Sequence, residues 1–276
     1  MRLDRALVER GLADSRNSAV ALIEGGRVLV SGSVAHKPAR MVASAEPVLV
    51  SGPPARFVGR GGDKLAAALE RFSLRVAGLT ALDAGASTGG FTDCLLQAGA
   101  AKVIAVDVGR SQLHHRLAQD QRVVNLERHD IRDVTLATVG GSPVDLVTAD
   151  LSFISLTRAV PVLTGPVVGP GATIVALVKP QFEAGRVEAS RGRGVIRDPV
   201  IHRSAVAAVA GALEGAGAAM MGVMPSPITG HAGNVEFLLH AVAHPDDRTA
   251  HRLAGDTLRA AIDDAVDESL QSGLGR

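Results

Sequence analysis

The sequence predicts an α/β protein in two parts: a mostly parallel, seven-stranded, doubly wound sheet preceded by a small α+β module. Three observations carry this expectation. From residue 80 onward, short aliphatic and β-branched runs alternate with segments long enough for crossover helices. The first fifty residues have another character, two short amphipathic patterns followed by two short strands. Between the regions stand Pro53 and Pro54, and paired prolines continue neither a helix nor a strand. The expected division is a module over 1–52, a linker over 53–63 and a large domain over 64–276.

The elements follow in order. Leu3, Ala6 and Leu7 share one helical face, flanked by Arg2, Arg5 and Arg10, and Gly11 ends that turn. Ser15 is placed to cap a second helix whose apolar face is Ala19, Leu22 and Ile23, stopped by Gly25-Gly26. A strand over 27–31 and another over 47–51 complete the module. In the large domain the spacing predicts strands over 81–84, 103–108, 123–126, 144–149 and 173–178 with helices between them. The runs at 220–224 and 235–241 are separated by Pro225, Pro227 and Gly230 with no helical pattern, which suits an antiparallel pair at one edge of the sheet. An acidic amphipathic helix over 246–269 closes the chain.

Composition excludes several classes. Of 276 residues, 46% are hydrophobic and 21% charged, with a net charge of +1, so the chain has ample apolar mass for a core. The only cysteine is Cys94, which excludes a disulfide scaffold and suits a reducing compartment. The N-terminus has no apolar leader, and the apolar stretch over 160–178 is broken by Pro161, Pro166 and Pro170. A cytoplasmic protein without a membrane segment is expected, and no feature points to a protein partner. His114, His115, His129 and His231 lack metal-ligand spacing, so no metal is expected.

Charge is uneven along this nearly neutral chain. Residues 1–64 carry ten Lys and Arg against six acids, and residues 186–203 carry five Arg against Glu188 and Asp198. Two basic regions suit a polyanion better than a small acid. Only four lysines occur, Lys37, Lys64, Lys102 and Lys179, against 25 arginines. A lysine in such a background draws notice, because lysine can give up its proton and arginine effectively cannot.

The first predicted strand of the sheet runs into Asp83-Ala84-Gly85-Ala86-Ser87-Thr88-Gly89-Gly90-Phe91. Glycines there allow a sharp turn and a close approach to a ligand, with a helix N-terminus behind. Asp107 lies 22 residues after Gly85 at the next strand end, beside Val108, where a carboxylate can accept both hydroxyls of an adenosine ribose. Asp130, beside Ile131, follows the third strand and can receive an adenine amino group. The glycine spacing differs from the dinucleotide fingerprint, and no P-loop lysine follows. S-adenosylmethionine fits this pattern: an adenosine at one end, and at the other an amino acid for Asp83 and the loop amides.

Polar residues also stand at the remaining strand ends. Asp150 ends the fourth strand, Lys179 ends the fifth, and Glu236 opens the last. Ligands of open α/β sheets sit outside the carboxyl ends of the parallel strands, and an antiparallel last strand starts at that same edge. Lys64 opens the helix before the first strand and can lean over it. Lys64, Asp150, Lys179 and Glu236 resemble the Lys-Asp-Lys-Glu tetrad of ribose 2′-O-methyltransferases related to FtsJ/RrmJ. The N-terminal signature Arg2-Leu3-Asp4, Ser15-Arg16, 23–28 and Lys37-Pro38 resembles the αL RNA-binding module. Together, in this order and over nearly the whole chain, they resemble the TlyA family, named hemolysin in some cases and ribosomal RNA cytidine-2′-O-methyltransferase in others. Phe57 stands where that family's linker typically carries a Trp.

The resemblance implies a class I Rossmann-like methyltransferase fold behind a small α+β RNA-binding domain, with S-adenosylmethionine as cofactor and ribosomal RNA or ribosomal subunits as partner. It implies catalytic roles for Lys64, Asp150, Lys179 and Glu236, and cofactor contacts from Asp150 and the loop. Lys179 is the candidate general base, neutral when it acts, with Asp150 and Glu236 orienting the lysines. Arg2, Arg5, Arg16, Arg27, Lys37 and Arg60 are the expected RNA contacts. So are Arg186, Arg191 and Arg193 in the Gly/Arg-rich loop, where Arg197 can also reach phosphate. Two competing readings are a membrane-lytic protein, which the lack of a span or a Lys-rich lytic helix disfavours, and an inactive assembly factor, which the intact tetrad disfavours.

Overall fold

The computed structural model describes the chain except residues 14–15, 53–54, 186–193, 231, 247–248, 250–251 and 275–276. The expected cap at Ser15, the Pro53-Pro54 break, His231 and the phosphate contacts of Arg186, Arg191 and Arg193 lie outside the described residues. The chain divides into two compact units, Met1–Ala55 and Arg56–Arg276.

In the first unit, α1 (Leu3–Glu9) and α2 (Arg16–Glu24) pack on a three-stranded antiparallel sheet. Its strands are β1 (Val28–Val30), β2 (Ser33–Val34) and β3 (Val48–Val50), in the order β2-β1-β3. Leu3, Leu7, Ala19, Ile23, Val28 and Val30 are fully buried and form the core. Leu22, expected on the same face as Ile23, is only partly buried.

The second unit begins with a segment that packs inward. Phe57 is buried, and its ring occupies the space a side chain at Gly62 would need: a Cβ there would fall 2.3 Å from it. Helix α3 (Gly61–Arg71) therefore starts within the stretch that the prolines predict as linker. Then come β4 (Thr80–Ala84), α4 (Gly90–Gln97), β5 (Lys102–Asp107), the short α5 (His115–Ala118) and β6 (Val123–Glu127). A 3-10 turn at Ile131–Asp133, β7 (Val144–Ala149) and a second 3-10 turn at Leu156–Arg158 follow. The chain continues through α6 (Val160–Leu163), β8 (Val168–Val178) and α7 (Pro180–Glu183). It ends with α8 (Pro199–Gly215), β9 (Ala219–Pro225), β10 (Phe237–Val242) and α9 (Asp256–Gln271).

The sheet order is β6-β5-β4-β7-β8-β10-β9. The pairs β6-β5, β5-β4, β4-β7 and β7-β8 are parallel, and β10 runs antiparallel to both β8 and β9. This is the mostly parallel seven-stranded sheet expected, with the antiparallel pair at one edge. Two differences are instructive. Strand β8 starts at Val168, through Gly169, Pro170 and Gly171, because that extension lies past the sheet's buried centre, where Pro170 is exposed and its missing N–H costs little. The last strand starts at Phe237, so Glu236 stands just before it. The register Phe237↔Val178 puts Glu236 beside Lys179 at the functional edge.

Candidate active site

The glycine loop after β4 is fastened to its neighbours by backbone. Gly85 and Ala86 N–H groups donate to Val106 carbonyl at 2.8 and 3.1 Å, and Asp150 N–H donates to Ala84 carbonyl at 2.9 Å. Gly85 has φ +85°, and a Cβ there would lie 2.6 Å from the Asp150 carbonyl oxygen, so only glycine fits this crossing. Against the loop lies a cavity of about 400 Å³ whose wall includes Gly85, Ser87, Asp107, Val108, Asp130 and Asp150. A smaller one of about 140 Å³, lined by Gly61, Ala86, Thr88, Gly90 and Phe91, shares Gly85, Ser87 and Asp150 with it. The Asp107 carboxylate is aimed by two backbone donors, Ser87 N–H at 2.8 Å and Gly109 N–H at 2.6 Å. Ile131 is buried at the wall and Val108 is 69% exposed. Asp130 reaches the cavity, but both its oxygens already accept from Arg132, whose guanidinium holds the carboxyl down at about 2.

Asp83 is placed differently from the expectation. It is wholly buried beneath the loop, and its two oxygens accept from the Thr92 and Thr148 hydroxyls at 2.6 and 3.1 Å. It joins α4 to β7 and does not line either cavity. The reason is the face it occupies: its side chain leaves β4 on the side covered by α4, where Thr92 of that helix and Thr148 of β7 enclose it. Burial pushes its carboxyl up to about 7, opposed by the two threonine hydroxyls. The proton is therefore held in the folded chain between the ordinary value of 3.8 and about 7 and released on unfolding. Over that window stability falls as pH rises, by about 1.4 kcal/mol per unit. Asp83→Asn removes the titration. The Tm gap between the variant and the parent should shift in the variant's favour from pH 4.5 to pH 7, and a pH-independent gap would show that Asp83 keeps its ordinary titration.

Lys64, Asp150, Lys179 and Glu236 come together at the carboxyl edge of the sheet. Lys64, from the first turn of α3, donates to Glu236, and both side chains are buried. Burial pushes the Glu236 carboxyl upward, and the Lys64 ammonium works against that rise. Lys179 Nζ lies 2.5 Å from Asp150 Oδ1 and donates to Ser152 Oγ at 2.8 Å. Gly230 is needed beside this group, since a Cβ there would fall 2.5 Å from Glu236 Oε1. Asp150 belongs both to this cluster and to the wall of the cofactor-sized cavity, which makes it the meeting point of the two.

Several residues at the site were not singled out by sequence. Phe153 is 94% exposed, has φ +66°, and its ring centre is 5.4 Å from that of Phe182. Glu183 ends α7 and accepts from Ser155 Oγ at 2.5 Å and Leu156 N–H at 2.8 Å. It thereby ties the segment carrying Lys179 to the segment carrying Asp150, Ser152 and Phe153. Phe153 had one available signal: in a chain without Trp or Tyr and with six Phe, it directly follows Asp150-Leu151-Ser152.

The expected RNA contacts are placed as follows. In the first unit, Arg2 and Arg16 both pair with Asp4, at 2.9 and 3.0 Å, while remaining 45% and 64% exposed. The Arg2 guanidinium holds the buried Asp4 carboxyl well below the usual carboxylate range. Arg5 pairs with Glu9 on the open face of α1, Arg27 donates to Ser51 carbonyl, and Lys37 is exposed. In the second unit, Arg60 donates to Thr229 carbonyl at 2.6 Å, clasping the segment before α3 to the β9–β10 connection. Arg186, Arg191 and Arg193 are not among the described residues.

Comparison with known proteins agrees with this arrangement. Residues 57–242 match the family model for FtsJ-like methyltransferases, and residues 1–47 match the S4 domain. The chain is 46% identical to the 16S/23S rRNA (cytidine-2′-O)-methyltransferase TlyA of Mycobacterium tuberculosis, over 95% of this chain and 97% of that one. It is 36% identical to Hemolysin A of Brachyspira hyodysenteriae, over 88% of this chain and all of that one. A solved structure from Streptococcus thermophilus, described as a hemolysin, superposes with a TM-score of 0.77 at 34% identity, covering 99% of this chain and 96% of that one. An S4 domain, a glycine-looped parallel sheet and a Lys-Asp-Lys-Glu cluster at its edge thus occur here in one chain, which belongs to the TlyA family of FtsJ-like methyltransferases.

Proposed function

We propose that the protein transfers a methyl group from S-adenosylmethionine to a cytidine 2′-hydroxyl of ribosomal RNA, in the cytoplasm. The observation that carries this reading is the pair of lysine–carboxylate contacts, Lys64–Glu236 and Lys179–Asp150, beside a glycine-walled cavity that shares Asp150. The residues present fit the cofactor. Glycines 85, 89 and 90 let the loop pack closely on Asp150, Leu117 and the backbone of residues 59–62, where a Cβ would collide, and so hold the cavity wall in place; Asp107 offers a pre-aimed carboxylate for ribose hydroxyls, and Val108, Ile131 and Leu151 offer apolar surface for a base. Asp83 acts from beneath by fixing Thr92 and Thr148.

When bound, S-adenosylmethionine supplies an electrophilic methyl group for in-line displacement, so positioning and partial deprotonation of the acceptor suffice. Lys179 takes the hydroxyl proton, with Ser152 and Asp150 fixing its Nζ. Glu236 holds Lys64, whose charge sits beside Lys179 and Asp150 at the reacting edge. The exposed face of Phe153 suits stacking on an unpaired base. In the first unit, Arg2 and Arg16 are pre-positioned by Asp4 to meet phosphate oxygens, which gives register rather than sequence reading.

The hemolysin names of some relatives draw no support from the helices: among the described residues, none is long and apolar enough to cross a membrane. Mapping 2′-O-methylation in ribosomal RNA from cells with and without the protein tests the reading. One or more 2′-O-methylcytidines should disappear with the protein, and an unchanged map would reject the assignment.

A further inference from the structure

Two segments leave neighbouring parallel strands at the reacting edge: residues 150–155 after β7, and α7 after β8. Three contacts join them, in chain order along α7. Lys179 meets Asp150 and Ser152, Phe182 meets Phe153, and Glu183 meets Ser155 and Leu156. The first contact belongs to the tetrad, and the second lines a cavity of about 380 Å³ beside it. Glu183 lines neither that cavity nor the cofactor-sized one. Its carboxylate is engaged all the same. One oxygen accepts from Leu156 N–H, the first amide of the 3-10 turn, and the other from Ser155 Oγ, which caps that turn. Burial pushes the carboxyl upward, and these donors work against the rise. A carboxylate drawn away from water and away from any ligand calls for a reason.

Resting on the function proposed above, we propose that Glu183 is a positioning residue for methyl transfer: it holds the Ser152-Phe153 segment against α7, so that Ser152 stays on Lys179 Nζ. Neither segment holds itself. α7 is a single turn of four residues, too short to be stable alone. Residues 150–155 have no regular structure, and Phe153 within them sits at φ +66°, a conformation that persists only where the surroundings impose it. Ser152 and Phe153 are fixed from both sides. Before them Asp150 N–H is bound to Ala84 carbonyl, and after them Ser155 and Leu156 are bound to Glu183. The consequence for the reaction lies in the shape of a neutral amine, which has two N–H groups and one lone pair. With one N–H on Ser152 and the other drawn to the Asp150 carboxylate, the lone pair of Lys179 is left for the hydroxyl proton. A drifting Ser152 frees the Nζ to turn, and the lone pair loses its aim.

The test uses the full-length protein and ribosomal subunits, with single-turnover rates read at saturating RNA and S-adenosylmethionine. Glu183→Ala should slow methyl transfer by roughly 10–100-fold, the cost of misplacing a reacting group. S-adenosylmethionine should still bind, since Asp107 and the glycine loop are untouched. Two closer variants separate reach from charge. Glu183→Gln keeps the reach: its carbonyl oxygen accepts from Leu156 N–H, and its amide donates to Ser155 Oγ, whose own proton turns to Thr157. Its rate should stay within about threefold of the parent. Glu183→Asp keeps the charge but stops short of both donors, and should be nearly as slow as the Ala variant. This pair decides the matter even where Glu183→Ala fails to fold. In a Ser152→Ala background, Glu183→Ala should cost less than about threefold further, because the contact it protects is already gone. A parental rate in Glu183→Asp, a Gln variant as slow as the Asp one, or losses that multiply in the double variant would each overturn the proposal. Failure of the underlying reading looks different: the parent protein itself would transfer no methyl group to ribosomal RNA.

Discussion

Replacing Lys179 by arginine should leave binding of S-adenosylmethionine and RNA nearly intact while slowing methyl transfer by roughly 10²–10⁴-fold, the span usual for loss of a general base. The argument rests on what arginine keeps and what it loses. It keeps the positive charge opposite Asp150, which lies 2.5 Å from Lys179 Nζ, and it can still donate to Ser152. It loses any capacity to accept a proton near neutral pH. A single-turnover assay at saturating RNA and cofactor separates the chemical step from binding. Near-parental turnover would show that the site works by orientation and charge, with the proton leaving to water. Lys64→Arg supplies the contrast. If Lys64 contributes charge and position, arginine there should retain far more rate than arginine at 179.

Lys64→Met should destabilise the larger unit by about 3–5 kcal/mol, because it strands the Glu236 carboxylate in a buried site. Both side chains of this pair are less than one-tenth exposed, at 8% and 3%. Without the ammonium, the carboxyl must take up a proton or remain an uncompensated charge. Burial already pushes it upward, so protonation is the easier course and the penalty should grow with pH. Lys64→Met combined with Glu236→Gln removes both charges and should recover most of the loss. Urea denaturation of the four proteins completes the cycle. A cost below about 1 kcal/mol for the single variant would place the pair among solvated ion pairs, which contribute little.

Most of the fold was legible because the central strands are predominantly apolar runs with a polar residue at or beside the carboxyl end. That pattern arises when a strand is covered on both faces and meets solvent only at its carboxyl end. The same rule located Asp107, Asp150 and Lys179. It misdirected the reading of Asp83, since an acid before a glycine loop gives one sequence signal whether it faces a ligand or is enclosed by Thr92 and Thr148. Glu183 was not legible. Its role depends on which groups it accepts from, and hydrogen-bond accounts close only in three dimensions. The start of β8 was hidden because Gly169-Pro170-Gly171 reads as a turn, and only its neighbours keep it extended.

The strand order has a consequence for how the enzyme is made. β10 leaves the ribosome after both β8 and β9, yet it lies inside the sheet between them. During synthesis β8 therefore waits with an open edge, and β9 has no neighbour until residues 237–242 arrive to fill the slot. Glu236 comes with them, so Lys64, made some 170 residues earlier, waits for its buried partner over all of that synthesis. Such long-range closure makes folding slow and leaves strand edges open to wrong pairing meanwhile. It also means that a chain stopped short of residue 236 carries no assembled Lys64–Glu236 pair.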